Sequence, residues 1–211
     1  GIASGVFISY RNKVFFVTCL HCILEESLYY VGARKGENIT PDLNEKVPPL
    51  NLIKRNYLLD LDIALFSYQG NLAQTNSEAY CIDDKPMISL ERTKKNIGTA
   101  AYICGFPGFL SEIHIQKGGE TTTSDSIVAY NKYYSGIGGI ISADENVILC
   151  DFAEKEFLFN NAVNESPTGG ERNIQGMSGS GLWVYDGITN APNLLGILLG
   201  KNKKSNPQNE H

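Results

Sequence analysis

The sequence predicts an all-β protein, built as a barrel or a sandwich. Three observations carry that reading. Apolar runs are short, and each is stopped by turn chemistry, as strands require. Eleven Tyr, nine Phe and 21 Gly in 211 residues favour strands and tight turns. Few stretches repeat apolar residues at the spacing of an amphipathic helix.

Gly5 to Leu20 predicts two strands, Val6-Phe7-Ile8 and Val14-Phe15-Phe16-Val17, joined by a polar turn at Arg11-Asn12-Lys13. Cys22 to Tyr29 predicts a short helical turn, and the polar, Pro-containing stretch 36–49 a loop. Leu58 to Tyr68 carries the next strand around Ile63-Ala64-Leu65-Phe66. Residues 70–96 predict a mixed connector, with turn residues at Asp83-Asp84-Lys85-Pro86. A second half restarts at Ala100-Ala101-Tyr102-Ile103-Cys104 and is stopped by Gly105-Phe106-Pro107-Gly108. Further strands are expected at Ser126 to Tyr130, Gly139 to Ser142, Val147 to Phe152, Gly181 to Tyr185 and Leu194 to Leu199. This order predicts an N-terminal lobe over 1–96, a C-terminal lobe over 97–200, and a disordered polar tail over 201–211 with nothing apolar to bury.

Composition bounds the function. A net charge of −5 disfavours general nucleic-acid binding. No apolar run approaches the roughly 20 residues of a membrane span, so no membrane partner is expected. Five cysteines leave at least one thiol unpaired, which predicts a reduced, cytoplasmic setting. No charged leader with an apolar core is visible, and the missing initiator Met suggests a trimmed start.

Three short runs carry chemistry. Thr18-Cys19-Leu20-His21-Cys22 puts a histidine directly after an apolar strand. Its imidazole titrates near neutrality and can accept and return a proton. Leu61-Asp62-Ile63-Ala64-Leu65 offers a carboxylate to orient that ring. Asp60 is its rival: in an alternating strand both would face one side, and Asp62 is favoured because the apolar run follows it. Gly176-Met177-Ser178-Gly179-Ser180-Gly181 offers a serine in a glycine-dense turn, whose Gly176 and Ser178 N–H groups can hold an oxyanion. A serine hydroxyl needs a base, and the base a carboxylate, so the three runs together predict a nucleophilic triad. Neither Ser178 nor Ser180 has Gly two residues to each side, which disfavours an α/β-hydrolase elbow. Cys19 and Cys22 also form a C-x-x-C, but Cys81, Cys104 and Cys150 are single and scattered, so zinc or thiol chemistry is disfavoured.

These runs resemble the chymotrypsin/trypsin-like serine proteases. Thr18 to Cys22 resembles their Thr-Ala-Ala-His-Cys box, Asp62 to Leu65 their Asp-Ile-Ala-Leu box, and Gln175 to Gly181 their serine box with its preceding Gln. The order His, Asp, Ser agrees. Gly5 to Ile8 resembles the strand before the histidine, and Leu195-Gly196-Ile197 the strand after the serine. Ile103 to Gly108 is similar to the start of the second barrel in HtrA-type bacterial members. The resemblance implies two six-stranded antiparallel Greek-key β-barrels with the active site in the cleft between them. It further implies a serine endopeptidase acting on protein or peptide substrates, with catalytic His21, Asp62 and Ser178 and no metal or other cofactor.

The departures sharpen the expectation. Trypsins carry Asp before the serine, where it pairs with a freed N-terminus; this chain has Met177. Only 20 residues precede His21. Activation by N-terminal cleavage is therefore not expected, and an activator or an additional domain is expected to complete the N-terminal lobe. Cys22 matches a family cysteine whose disulfide partner would lie on Gly5 to Ile8, where there is none. Leu199 stands where the family has a serine, and Gly200-Lys201 where it has the Trp-Gly of its substrate-binding strand. Arg172, six residues before Ser178, stands at the floor of the implied pocket beside Gln175 and predicts a preference for an acidic residue through a charge-assisted pair. The competing expectation is a dormant protease-fold binding module.

Overall fold

Strict alternation along one strand organises the first sheet. In β4 (Ile63–Tyr68) the residues Ala64, Phe66 and Tyr68 are buried, while Ile63, Leu65 and Ser67 between them are only partly so. Successive side chains of a strand point to opposite faces, so one face of β4 makes core. The computed structural model describes residues 4–23, 51–53, 60–72, 78–83, 97–105, 111–116, 126–131, 134–144, 146–152, 158–159, 176–186 and 191–200.

The first sheet has five strands. β1 (Val6–Tyr10) and β2 (Lys13–Cys19) form an antiparallel hairpin with Tyr10 opposite Lys13. Its two connecting residues, Arg11 and Asn12, have φ of 48° and 60°. Positive φ at both positions matches the twist of a two-residue hairpin. β2 pairs antiparallel with β4, and β4 with β3 (Asn51–Ile53). The predicted connector contributes an unexpected strand, β5 (Tyr80–Cys81), which joins β1 in parallel. The order is β3-β4-β2-β1-β5. Phe7, Ala64, Phe66 and Tyr68 form the core of this sheet, with Phe16 and Leu20 packed against them. The Phe7 ring lies 5.2 Å from both Phe16 and Tyr68, in edge and tilted contacts that aromatic pairs prefer.

The second sheet takes β6 (Ala100–Gly105), β9 (Tyr134–Ala143), β10 (Ile148–Phe152), β11 (Leu158–Phe159), β12 (Gly181–Asp186) and β13 (Ala191–Ile197). β7 (Ser111–Gln116) and β8 (Ser126–Asn131) pair separately as an antiparallel ribbon. The main order is β10-β9-β6-β12-β13, with β11 also paired to β9. Ala101, Ile140, Leu182 and Val184 are its core. The last strand starts at Ala191 and stops at Ile197, earlier at both ends than its apolar run predicts. Pro192 is accommodated because β13 is an edge strand, where a missing N–H costs no ladder bond.

The fold is therefore all-β and mostly antiparallel, and among the described residues neither sheet closes into a barrel. The first sheet uses residues 6–81 and the second residues 100–197. A 3-10 turn spans Leu20–Cys22 and shares only Cys22 with the predicted helical turn, Ile23 being extended; residues 24–29, the 36–49 loop and the 201–211 tail lie outside the described residues. No described helix is long and apolar enough to cross a membrane. The sheets meet where β5 faces β12 and β13: the Tyr80 ring packs edge-on against Trp183 at 5.5 Å.

Phe66 is 1% exposed at the centre of the first sheet. Phe66→Ala is expected to destabilise the fold by about 3–5 kcal/mol, by lost transfer energy plus a cavity. Urea unfolding checks this: the midpoint falls at an unchanged slope.

Candidate active site

β2 ends at Cys19, which is fully buried, and the 3-10 turn Leu20–Cys22 then lifts His21 toward solvent. Ile23 N–H closes that turn on the Leu20 carbonyl at 2.8 Å. Asp62 faces it from the residue before β4. The predicted alternating strand through Asp60 and Asp62 does not form: the strand begins at Ile63, Asp60 is exposed, and Asp62 sits in the left-handed region with φ 56°. Asp tolerates that conformation better than most residues, at a cost on the order of 1 kcal/mol.

Asp62 makes three hydrogen bonds to the histidine turn. Its carbonyl accepts from Leu20 N–H at 2.8 Å. Its Oδ1 accepts from His21 N–H at 2.9 Å, and its Oδ2 lies 2.6 Å from His21 Nδ1. An ionised carboxylate only accepts, so this contact takes a proton on Nδ1, and in the neutral ring Nε2 is then the acceptor. The two side chains are 48% and 39% exposed. An ion pair so solvated adds little stability, and its consequence is orientation of the ring.

Ser178 lies in the turn Gly176–Ser180, just before β12. Ser180 N–H bonds to the Met177 carbonyl at 2.9 Å, and Gly176 and Gly179 have φ of 93° and 88°. Met177 is 1% exposed, so the residue before the serine anchors the turn by apolar burial. Gly179 admits no side chain: a Cβ would lie 2.1 Å from the Ser4 carbonyl oxygen and 2.3 Å from Thr18 Oγ1. Among the described residues, neither Gly176 N–H nor Ser178 N–H donates to a backbone carbonyl. Ser180 is fully buried with its hydroxyl on Met177 Sδ at 3.8 Å, which removes it as a nucleophile.

The Leu198 carbonyl, just past β13, joins the serine turn to the strand that leads into the histidine turn. Gly179 N–H donates to the Leu198 carbonyl at 2.8 Å, and the Cys19 thiol to the same oxygen at 3.0 Å. Ser178 Oγ donates to the Leu199 carbonyl at 3.4 Å and reaches the Cys22 thiol, one residue from His21. No hydrogen bond joins Ser178 to His21. Serine–base contacts are commonly long before substrate binds. Leu199 and Gly200 lie exposed past the end of β13. The predicted pocket residues Arg172 and Gln175 lie outside the described residues. Ser4, Thr18, Cys19 and Leu198 complete the junction.

All five cysteines are free. Burial pushes the Cys19 thiol up to about 12, reinforced by Cys22 and Asp62 and opposed by the Gly179 amide. Burial also raises Cys22, with Asp62 adding and the Ser178 hydroxyl opposing. Cys19, His21 and Asp62 bring their ligand atoms within 4.8 Å of one another. A cation there would have to strip the buried Cys19 thiol of the proton it gives to the Leu198 carbonyl, so the donor set does not fit a prepared metal site.

The Cys19 shift has a direction in pH. The folded chain keeps this thiol neutral toward pH 12, while the unfolded chain ionises it from about 9. The contribution is therefore complete below pH 9 and lost as pH rises toward 12. Cys19→Ala is expected to flatten the fall of urea stability across that range; an unchanged slope contradicts the burial argument.

The chain matches no protein-family model, no curated protein and no solved structure.

Proposed function

We propose that the chain is a serine endopeptidase of chymotrypsin-like design, working by an acyl-enzyme intermediate. The observation that supports it most is the double grip of Asp62 on His21, through both the backbone N–H and the ring, with the Ser178 turn held alongside. In this reading Ser178 Oγ attacks the peptide carbonyl. His21 Nε2 takes the proton and returns it to the leaving amine, and Asp62 stabilises the charged ring. The Gly176 and Ser178 amides hold the oxyanion. In this reading the two open sheets stand where that design has its two barrels, with the site between them. Extended peptide substrate lies along the exposed residues Leu199 and Gly200. The setting is cytoplasmic.

A dormant binding module is the second reading. It is favoured by the Ser178 hydroxyl resting on the Leu199 carbonyl rather than on His21.

Labelling with a fluorophosphonate probe separates the two. Wild type is expected to be labelled on Ser178 alone, and Ser178→Ala and His21→Ala not at all. Asp62→Asn is expected to slow labelling by on the order of 10⁴-fold, through the wrong ring tautomer. A folded wild type that takes no label overturns the peptidase reading in favour of the dormant one.

A further inference from the structure

Ser4 precedes β1 and belongs to none of the motifs, yet it is only 2% exposed. Its Oγ donates to the Gly176 carbonyl at 2.9 Å, at one end of the serine turn. Its own carbonyl accepts from Thr18 Oγ1 at 2.6 Å. Thr18 is 1% exposed and lies on β2, three residues before His21. That same Ser4 carbonyl closes off the other end of the turn, where a Cβ on Gly179 would come within 2.1 Å of it. The Ser4 hydroxyl also backs onto β6: a Cβ on Gly105 would lie 2.8 Å from Ser4 Oγ and 1.8 Å from Ser180 Oγ. One buried residue therefore touches both ends of the nucleophile turn, the histidine-bearing strand and the second sheet.

The peptide plane that Ser4 holds lies between Gly176 and Met177, and so between the two amides assigned to the oxyanion. Gly176 has φ 93° and no side chain, so by itself it allows this plane to rotate at little cost. A hydrogen bond to the carbonyl removes that freedom. Donors fixed before the reaction stabilise developing charge better than donors that must reorganise. We propose that Ser4 is a positioning residue: its hydroxyl sets the Gly176–Met177 peptide plane, and with it the Gly176 and Ser178 amides, for oxyanion binding. The catalytic part of this inference rests on the peptidase reading, whereas the hold on the turn does not.

The test uses the full chain with Ser4→Ala, the near-isosteric Ser4→Cys and the hydroxyl-keeping Ser4→Thr. Amide hydrogen exchange over residues 176–181 is read against residues 6–19, and the fluorophosphonate labelling rate is taken per folded molecule. In Ser4→Ala and Ser4→Cys, the Gly179 and Ser180 amides are expected to exchange faster while the β1–β2 hairpin does not. Labelling is expected to slow by about tenfold or more, and Ser4→Thr to recover it. If Ser4→Ala does not fold, Ser4→Cys carries the comparison. Exchange and labelling that match wild type in Ser4→Cys overturn the proposal. A labelling loss that only tracks a lower folded fraction overturns it as well, because a purely structural role predicts that. Wild type without label, whose turn is nevertheless loosened by Ser4→Cys, sinks the peptidase reading and leaves the hold on the turn standing.

Discussion

One carboxylate fixes the geometry on which the site depends. Asp62 accepts from the Leu20 amide through its carbonyl and from both the amide and the ring of His21 through its side chain. The carbonyl bond continues the β2–β4 register past Cys19 and Ile63, and the two carboxylate bonds are made from a left-handed backbone. A strained residue held by several bonds is the pattern expected where orientation matters more than stability. The half-exposed His21–Asp62 pair fits that pattern, since solvent screening leaves it little to add to folding.

The serine turn lies alongside this pair because the two sheets are pinned together at a polar seam. Leu198 has a carbonyl shared by the Gly179 amide and the Cys19 thiol. Thr18 and Ser4 bond across the same junction, and the buried Thr18, Cys19, Ser180 and Met177 exclude water from it. Buried polar groups are costly unless paired, so such a seam tolerates few arrangements. Gly179 marks how tight it is: no side chain larger than hydrogen fits between Ser4 and Thr18 there.

Local patterns were legible and distant ones were not. The hairpin from Val6 to Cys19 follows from apolar runs around Arg11-Asn12, and β4 from its alternation, because neighbours in sequence decide both. The His21, Asp62 and Ser178 runs stood out because each role shapes its immediate neighbours. Ser4 could not be seen, because its partners lie 172 and 14 residues away and neither bond leaves a spacing. β5 was hidden for a similar reason: two residues pairing in parallel with β1 show no period. Asp62 defied the alternation read through Leu59 to Ile63, since a tertiary bond to His21 overrode local strand preference. The closure of barrels, implied by resemblance alone, finds no counterpart among the described strands.

The most direct test of the Asp62–His21 constraint is nitrogen NMR of the His21 ring in the folded chain, at a pH where the imidazole is neutral. A proton carried on Nδ1, with Nε2 unprotonated, is the predicted state, and Asp62→Ala is predicted to lose that bias. A wild-type ring protonated on Nε2, or one that samples both tautomers as freely as the Asp62→Ala variant, would contradict it.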